Sequence, residues 1–224
     1  SDGHKVVVVD DLSTGLMTNL DGLPIKFLKA SVTDIARLLP KAAGRLVQAE
    51  QKAFDKVLNN PVRPYVVVLG GSKVSDKLGV INNLISKVDK LLIGGGMTYT
   101  FIKANGGKIG KSLVEEDKLD LAKELIKKAN EKGVNMIIPT DSVIADAFSN
   151  DAETGNAYND HIKDNWMGLD IGEDTIKKFA GIIAKSKTIL WNGPMGVFEM
   201  SKFENGTKAV ANAVVEATEN GAFS

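Results

Sequence analysis

The chain contains no cysteine among its 224 residues. That excludes disulfides, thiolate metal sites and a thiol nucleophile. It has no excess of charge: 28 Lys and Arg balance 28 Asp and Glu. With no basic surplus and no long basic run, it shows no footprint for nucleic acid. No apolar run reaches membrane-spanning length and no signal peptide is visible, so a soluble cytoplasmic protein with no membrane partner is the expectation. Histidine is scarce. His4 and His161 are far apart and lack metal-ligand spacing, so both are expected on the surface, and no metal ligand is assigned.

What is present is organised around YVVVLGGSKVSDK, Tyr65 to Lys77. Tyr65 to Leu69 is an unbroken apolar run, the pattern of a parallel strand covered on both faces. Gly70 and Gly71 allow a sharp turn and close backbone approach to a ligand. Ser75 and Asp76 are good N-cap residues, which predicts a helix start with free N–H groups facing the strand ends. Lys73 and Lys77 add charge at the same spot. Together these describe a phosphate site; the same residues also read as a strand, a turn and two solvated lysines.

Further strands are predicted at Lys5–Asp10, Pro24–Lys29, Lys90–Gly95, Asn135–Pro139 and Thr188–Asn192, with a short extended stretch at Val143–Ala145. Ser13 is a candidate cap for a short helix through Asn19. Helices are predicted over Thr33–Asn59 with a break near Pro40, then over Lys77–Val88, Gly96–Asn105, Val114–Lys132, Gly172–Lys185 and Asn205–Asn220. Asn150–Trp166 is polar and turn-rich and reads as an exposed excursion. Strands alternating with helices predict an α/β fold. It is a three-layer α/β/α, Rossmann-like arrangement with a six-stranded, mainly parallel sheet and helices on both faces. Ligands in such sheets bind beyond the carboxyl ends of the strands.

Several long stretches give a more specific reading. GGSKVSDK (Gly70–Lys77), LLIGGGMTYTF (Leu91–Phe101), IGKSLVEEDK (Ile109–Lys118), WMGLDIG (Trp166–Gly172) and WNGPMGVFE (Trp191–Glu199) occur in this order. From about residue 38 onward the chain resembles the C-terminal, nucleotide-binding half of phosphoglycerate kinase. The resemblance implies that Gly70, Gly71 and Ser72 line a nucleotide cleft and that Lys73 and Lys77 contact its phosphates. It implies that Gly94, Gly95 and Gly96 wall the adenine pocket, that Asn192, Pro194 and Val197 face the nucleotide, and that Glu199 accepts the ribose hydroxyls. Trp191 and Phe198 are expected in the core.

The resemblance also implies what lies outside this stretch. The kinase has an N-terminal domain whose histidine and arginines bind 3-phosphoglycerate, and a later Gly-Gly-Gly-Asp motif whose aspartate serves magnesium. Neither is found here, so no catalytic residue is assigned. Residues 1–34 resemble instead two strands of an NAD-dependent nucleotide-sugar epimerase, with Asp10 in the ribose-binding position. Its glycine fingerprint is missing, so NAD is not expected. The resulting expectation is a single hybrid domain over residues 1–224, joining an epimerase-like piece (1–34) to a kinase-like piece (35–224). It would be a monomer, with a strand-swapped dimer as the alternative. It would bind ADP or ATP weakly, with magnesium carried only by the nucleotide, and would lack complete kinase machinery. The alternatives are a folded scaffold without nucleotide binding and an active phosphoglycerate kinase.

Overall fold

The computed structural model describes residues 6–10, 17–23, 25–29 and 45–224. His4, Asp11, Ser13, Pro24 and Pro40, the side chain of Asp10, and the first part of the helix predicted from Thr33 lie outside the described residues. The chain divides into two compact units, residues 1–52 and 53–224.

In the first unit, strands β1 (Val6–Asp10) and β2 (Ile25–Lys29) pair in parallel from Val6–Ile25 to Asp10–Lys29. A 3-10 turn, Met17–Leu20, is among the described residues between them in sequence. The helix Arg45–Leu58 then carries the chain from one unit into the next.

The second unit is built on β3 (Tyr65–Leu69), β4 (Lys90–Ile93) and β6 (Asn135–Ile137), with β5 (Lys108–Ile109) falling between the last two in sequence. They are followed by β7 (Asp141–Ala145), β8 (Thr154–Tyr158), β9 (His161–Ile162), β10 (Met167–Ile171) and β11 (Thr188–Asn192). The main sheet is parallel, in the order β11-β3-β4-β6. Every residue of β3 is at most 1% exposed, as the unbroken apolar run requires. Because side chains alternate across a strand, Tyr65, Val67 and Leu69 pack on one face with the helices Val74–Leu84 and Leu119–Glu131. Val66 and Val68 pack on the other with Glu173–Ile183 and Asn205–Glu219. This is the predicted α/β fold with helices on both faces.

Among the described residues the hydrogen-bonded parallel sheet of the second unit has four strands, and β1 pairs with β2 in the first unit. Apolar patterning identifies strands but does not say which strands pair. The stretch expected to be an excursion holds β8 and β9. β8 is the edge of a three-stranded antiparallel sheet, β10-β7-β8, and its TGNAY sequence alternates exposed and half-buried positions. A strand with one wet face carries too little apolar signal to stand out from a loop. β5 and β9 form a further short parallel pair.

Two helix starts in this unit are capped by carboxylates from distant segments. Asp141 accepts the N–H groups of Asp174 (3.0 Å) and Thr175 (2.8 Å) at the start of Glu173–Ile183. Asp170 accepts the N–H of Gly206 (2.6 Å) at the start of Asn205–Glu219. Each places a negative charge on the positive end of a helix dipole and ties that helix to the antiparallel sheet.

Candidate functional site

Three loops leave the carboxyl ends of β3, β4 and β11 and lock together through their backbones. The Gly70 N–H donates to Asn192 O (2.9 Å), and the Gly95 N–H donates to Met195 O (2.9 Å). The Met97 N–H donates to Gly71 O (3.0 Å). A Cβ on Gly70 would lie 1.9 Å from Pro194 O, so only glycine lets these two backbones meet. The glycine that the sequence suggested for ligand approach therefore serves loop–loop contact.

Above the interlocked loops lies a cleft of about 720 Å³. Gly71, Ser72, Gly95, Gly96, Pro194, Val197 and Glu199, all singled out in the sequence, line it. Gly70 and Gly94 do not reach it; both are buried. Lys73, Lys77 and Asn192 also lie outside its lining. Lys73 is exposed, just before the helix Val74–Leu84. The Lys77 ammonium donates to Asn192 Oδ1, which joins two predicted residues from opposite ends of the unit.

The sequence reading missed most of the apolar wall. Leu113 and Phe148, both largely exposed, and Met167, Gly168 and Leu169 all line the cleft. So do Tyr99, Lys111, Met195 and Gly196. The stretches IGKSLVEEDK and WMGLDIG flagged Lys111, Leu113 and Met167–Leu169 without assigning them roles. Phe148, in a polar stretch, carried no signal. The β10 register shifts between Gly168 and Asp170, a bulge that lies beside the cleft-lining Leu169. Trp191 packs against the core as expected, whereas Phe198 is 46% exposed. It lies in a turn after β11.

The expected helix start at Ser75 and Asp76 is corrected in two respects. The helix begins at Val74, with Lys73 at the N-cap and no side-chain cap bond from it. Its N-terminus is not free to meet an anion. The Ser75 N–H (3.1 Å) and Oγ–H (2.5 Å) both donate to the Glu115 carboxylate. Partial burial works against the charge on Glu115. Hydrogen bonds from Ser75 and Val74 outweigh it and hold the carboxyl below its ordinary range. The positive end of this helix is thus neutralised internally, and cationic character near the strand ends comes from Lys73, Lys77 and Lys111.

Beneath the cleft floor, Asp170 is 2% exposed. Burial pushes its carboxyl up to about 6, against the pull of the Gly206 and Ile171 N–H groups. Burial likewise pushes the Tyr99 hydroxyl far above the ordinary phenol range. Among the described residues, Glu199 is the only carboxylate lining the cleft. Among the described residues no cluster of three or more His, Cys, Asp or Glu could hold a metal ion. Among them, too, no helix is long and apolar enough to cross a membrane. His161 is exposed, as predicted.

Comparison with known proteins places this arrangement. The family model described as phosphoglycerate kinase matches residues 28–224. The phosphoglycerate kinase of Porphyromonas gingivalis is 56% identical over 184 residues, covering 82% of this chain and 44% of that protein. That of Rhodococcus erythropolis is 54% identical over 206 residues, covering 91% of this chain and 50% of that protein. The solved structure of phosphoglycerate kinase from Coxiella burnetii superposes with a TM-score of 0.77 at 44% identity, over 79% of this chain and 46% of that one. The structure from Pyrococcus horikoshii gives 0.70 at 28% identity, over 85% of this chain and 48% of that one. The chain thus spans about half the length of the relatives it matches. The matched region begins at residue 28, so the seam expected between residues 34 and 38 falls inside it. The comparisons support no epimerase segment, and the match to one family runs from residue 28 to 224.

Proposed function

The chain belongs to the phosphoglycerate kinase family, and from that premise we propose that it supplies the adenine-nucleotide side of phosphoryl transfer between ATP or ADP and a phosphoglycerate. The observation that supports this is the meeting of the three glycine loops, Gly70–Ser72, Gly94–Gly96 and Asn192–Glu199, around one cleft. Leu113, Met167, Leu169 and Val197 offer an apolar slot for a flat base. Glu199 offers acceptors for ribose hydroxyls. Lys73, and Lys77 held on Asn192, stand near the strand ends, where charge-assisted contacts to phosphate would form.

Phosphoryl transfer rests on positioning and on neutralising charge, and these residues would contribute both. Magnesium does not fit a protein-built site among the described residues and would arrive on the nucleotide's phosphates. NAD has no support on this reading.

The test is a titration of ADP, with and without magnesium, followed by amide NMR shifts. Shifts centred on Gly71, Gly95 and Val197, weakened roughly tenfold or more by Lys73→Ala, are the expected result. Absence of shifts at millimolar ADP would favour a scaffold without nucleotide binding.

A further inference from the structure

A second cavity of about 650 Å³ opens on the other side of the helix Thr98–Ala104. Its apolar surface comes from Ile102, Ile138, Pro139 and the ring of Tyr158, which is 64% exposed. Among the described residues its one acidic side chain is Asp160, whose Oδ1 lies 2.8 Å from His161 Nδ1. The hydrogen bond from His161 holds the Asp160 carboxyl below its ordinary range. Among the described residues no lysine or arginine lines the cavity. A flat ring that carries a positive charge would find an apolar floor, an exposed aromatic face and a carboxylate.

This cavity is joined to the nucleotide cleft by a chain of buried hydrogen bonds. Asn159, 3% exposed, lines the second cavity and donates from Nδ2 to Pro139 O (2.9 Å). That leaves Asn159 Oδ1 to accept the Ser142 Oγ–H (2.6 Å). Ser142 Oγ in turn is free to accept the Tyr99 hydroxyl (2.9 Å). Tyr99 lines the cleft. Its hydroxyl stands 1.9 Å from where a Cβ on Gly168 would be, so it abuts the backbone of the opposite cleft wall. Every member of the chain has one orientation that satisfies all of them. A shift at Asn159 therefore displaces a donor at the wall of the cleft.

We propose that the second cavity is a binding site for a small aromatic ammonium, coupled to the cleft through the Tyr99–Ser142–Asn159 chain. The coupling rests on the nucleotide reading of the cleft; binding at the second cavity does not. Because coupling is reciprocal, an occupant that orders the chain tightens nucleotide binding, and the nucleotide tightens the occupant.

The test uses the whole chain and two probes that share a ring and differ in charge, tyramine and 3-(4-hydroxyphenyl)propionate. ADP is titrated first by itself, so that failure of the nucleotide reading is seen independently. Tyramine is expected to shift the Asn159 side-chain amide and the amides of Ile102 and His161, with a dissociation constant on the order of millimolar. The carboxylate probe is expected to give no such shifts. Saturating tyramine should tighten ADP binding by roughly two- to fivefold. Tyr158→Ala should abolish the tyramine shifts and leave ADP affinity unchanged. Ser142→Ala should keep both ligands and lose the coupling. Tyr99→Phe, which removes only the cleft-side hydroxyl, should lose it too if Ser142→Ala fails to fold. Equal shifts with the carboxylate probe, or no shifts with tyramine, would overturn the site. Coupling retained in both chain variants would overturn the link.

Discussion

At the scale of single residues, two side-chain environments make opposite demands. Gly70 touches Pro194 O and Gly193 O so closely that a methyl group cannot enter without separating β3's loop from β11's. Gly70→Ala should lower stability by about 2–4 kcal/mol, read from denaturant midpoints, and should open the cleft as well. Asp170 is a question of charge rather than volume. Its carboxyl is raised from 3.8 to about 6 in the folded state. The folded protein therefore holds that proton more tightly than the unfolded chain. The stability this contributes is fully present below about pH 4 and is lost as pH rises through about 6. The shift corresponds to on the order of 3 kcal/mol. Asp170→Asn keeps an acceptor for the Gly206 N–H and removes the titration. Across roughly pH 4 to 7 the wild type should lose stability relative to this variant, by up to that amount. A difference that does not change with pH would count against burial as the cause.

At the scale of elements, the helix Val74–Leu84 shows how a terminus that reads as a ligand site is used internally. Its N-terminus is held by Glu115, forty residues away in sequence. Glu115→Ala should cost about 1 kcal/mol at neutral pH, the ordinary worth of a helix cap. The Glu115 carboxyl lies below its ordinary range, so the sign is the reverse of that for Asp170. Its contribution is present above the ordinary Glu range and is lost as pH falls through the folded value. The cost of Glu115→Ala should therefore shrink toward acid pH in urea titrations; a cost that grows there would refute the capping role. Because this helix end is already neutralised, removal of Lys73 or Lys77 should affect ADP more than Glu115→Ala does. Isothermal titration of the three variants compares them directly.

At the scale of the molecule, the cleft and both tryptophans, Trp166 and Trp191, belong to the unit spanning residues 53–224. Their fluorescence therefore reports unfolding of the part that holds the site. A ligand that binds only the folded state at a hundred times its dissociation constant stabilises it by about 2.7 kcal/mol. Saturating ADP should raise the midpoint of the tryptophan-detected transition accordingly. The double variant Lys73→Ala, Lys77→Ala should lose most of that shift at the same ADP concentration. A midpoint unmoved by ADP would separate this chain from the activity of its relatives.

What the sequence determined by itself were the features whose signals are local. Tyr65–Leu69 had to be a fully covered strand, because five apolar residues in a row leave no face for water. An amphipathic helix had to lie within Val114–Lys132, and it forms over Leu119–Glu131 with Ala122, Leu125 and Ala129 inward. The glycine loops and Glu199 were legible as a candidate site because their spacing is compact and distinctive. Tertiary structure decided everything that depends on what meets across the chain. It decided that β3 lies between β11 and β4 in the sheet of the second unit. It decided that Glu115 occupies the helix end expected for phosphate, and that Leu113, Phe148 and Leu169 complete the cleft. The reason is physical: periodicity records whether a side chain prefers water or the interior. The partner it finds there depends on strand pairing and loop closure between residues that are distant in sequence.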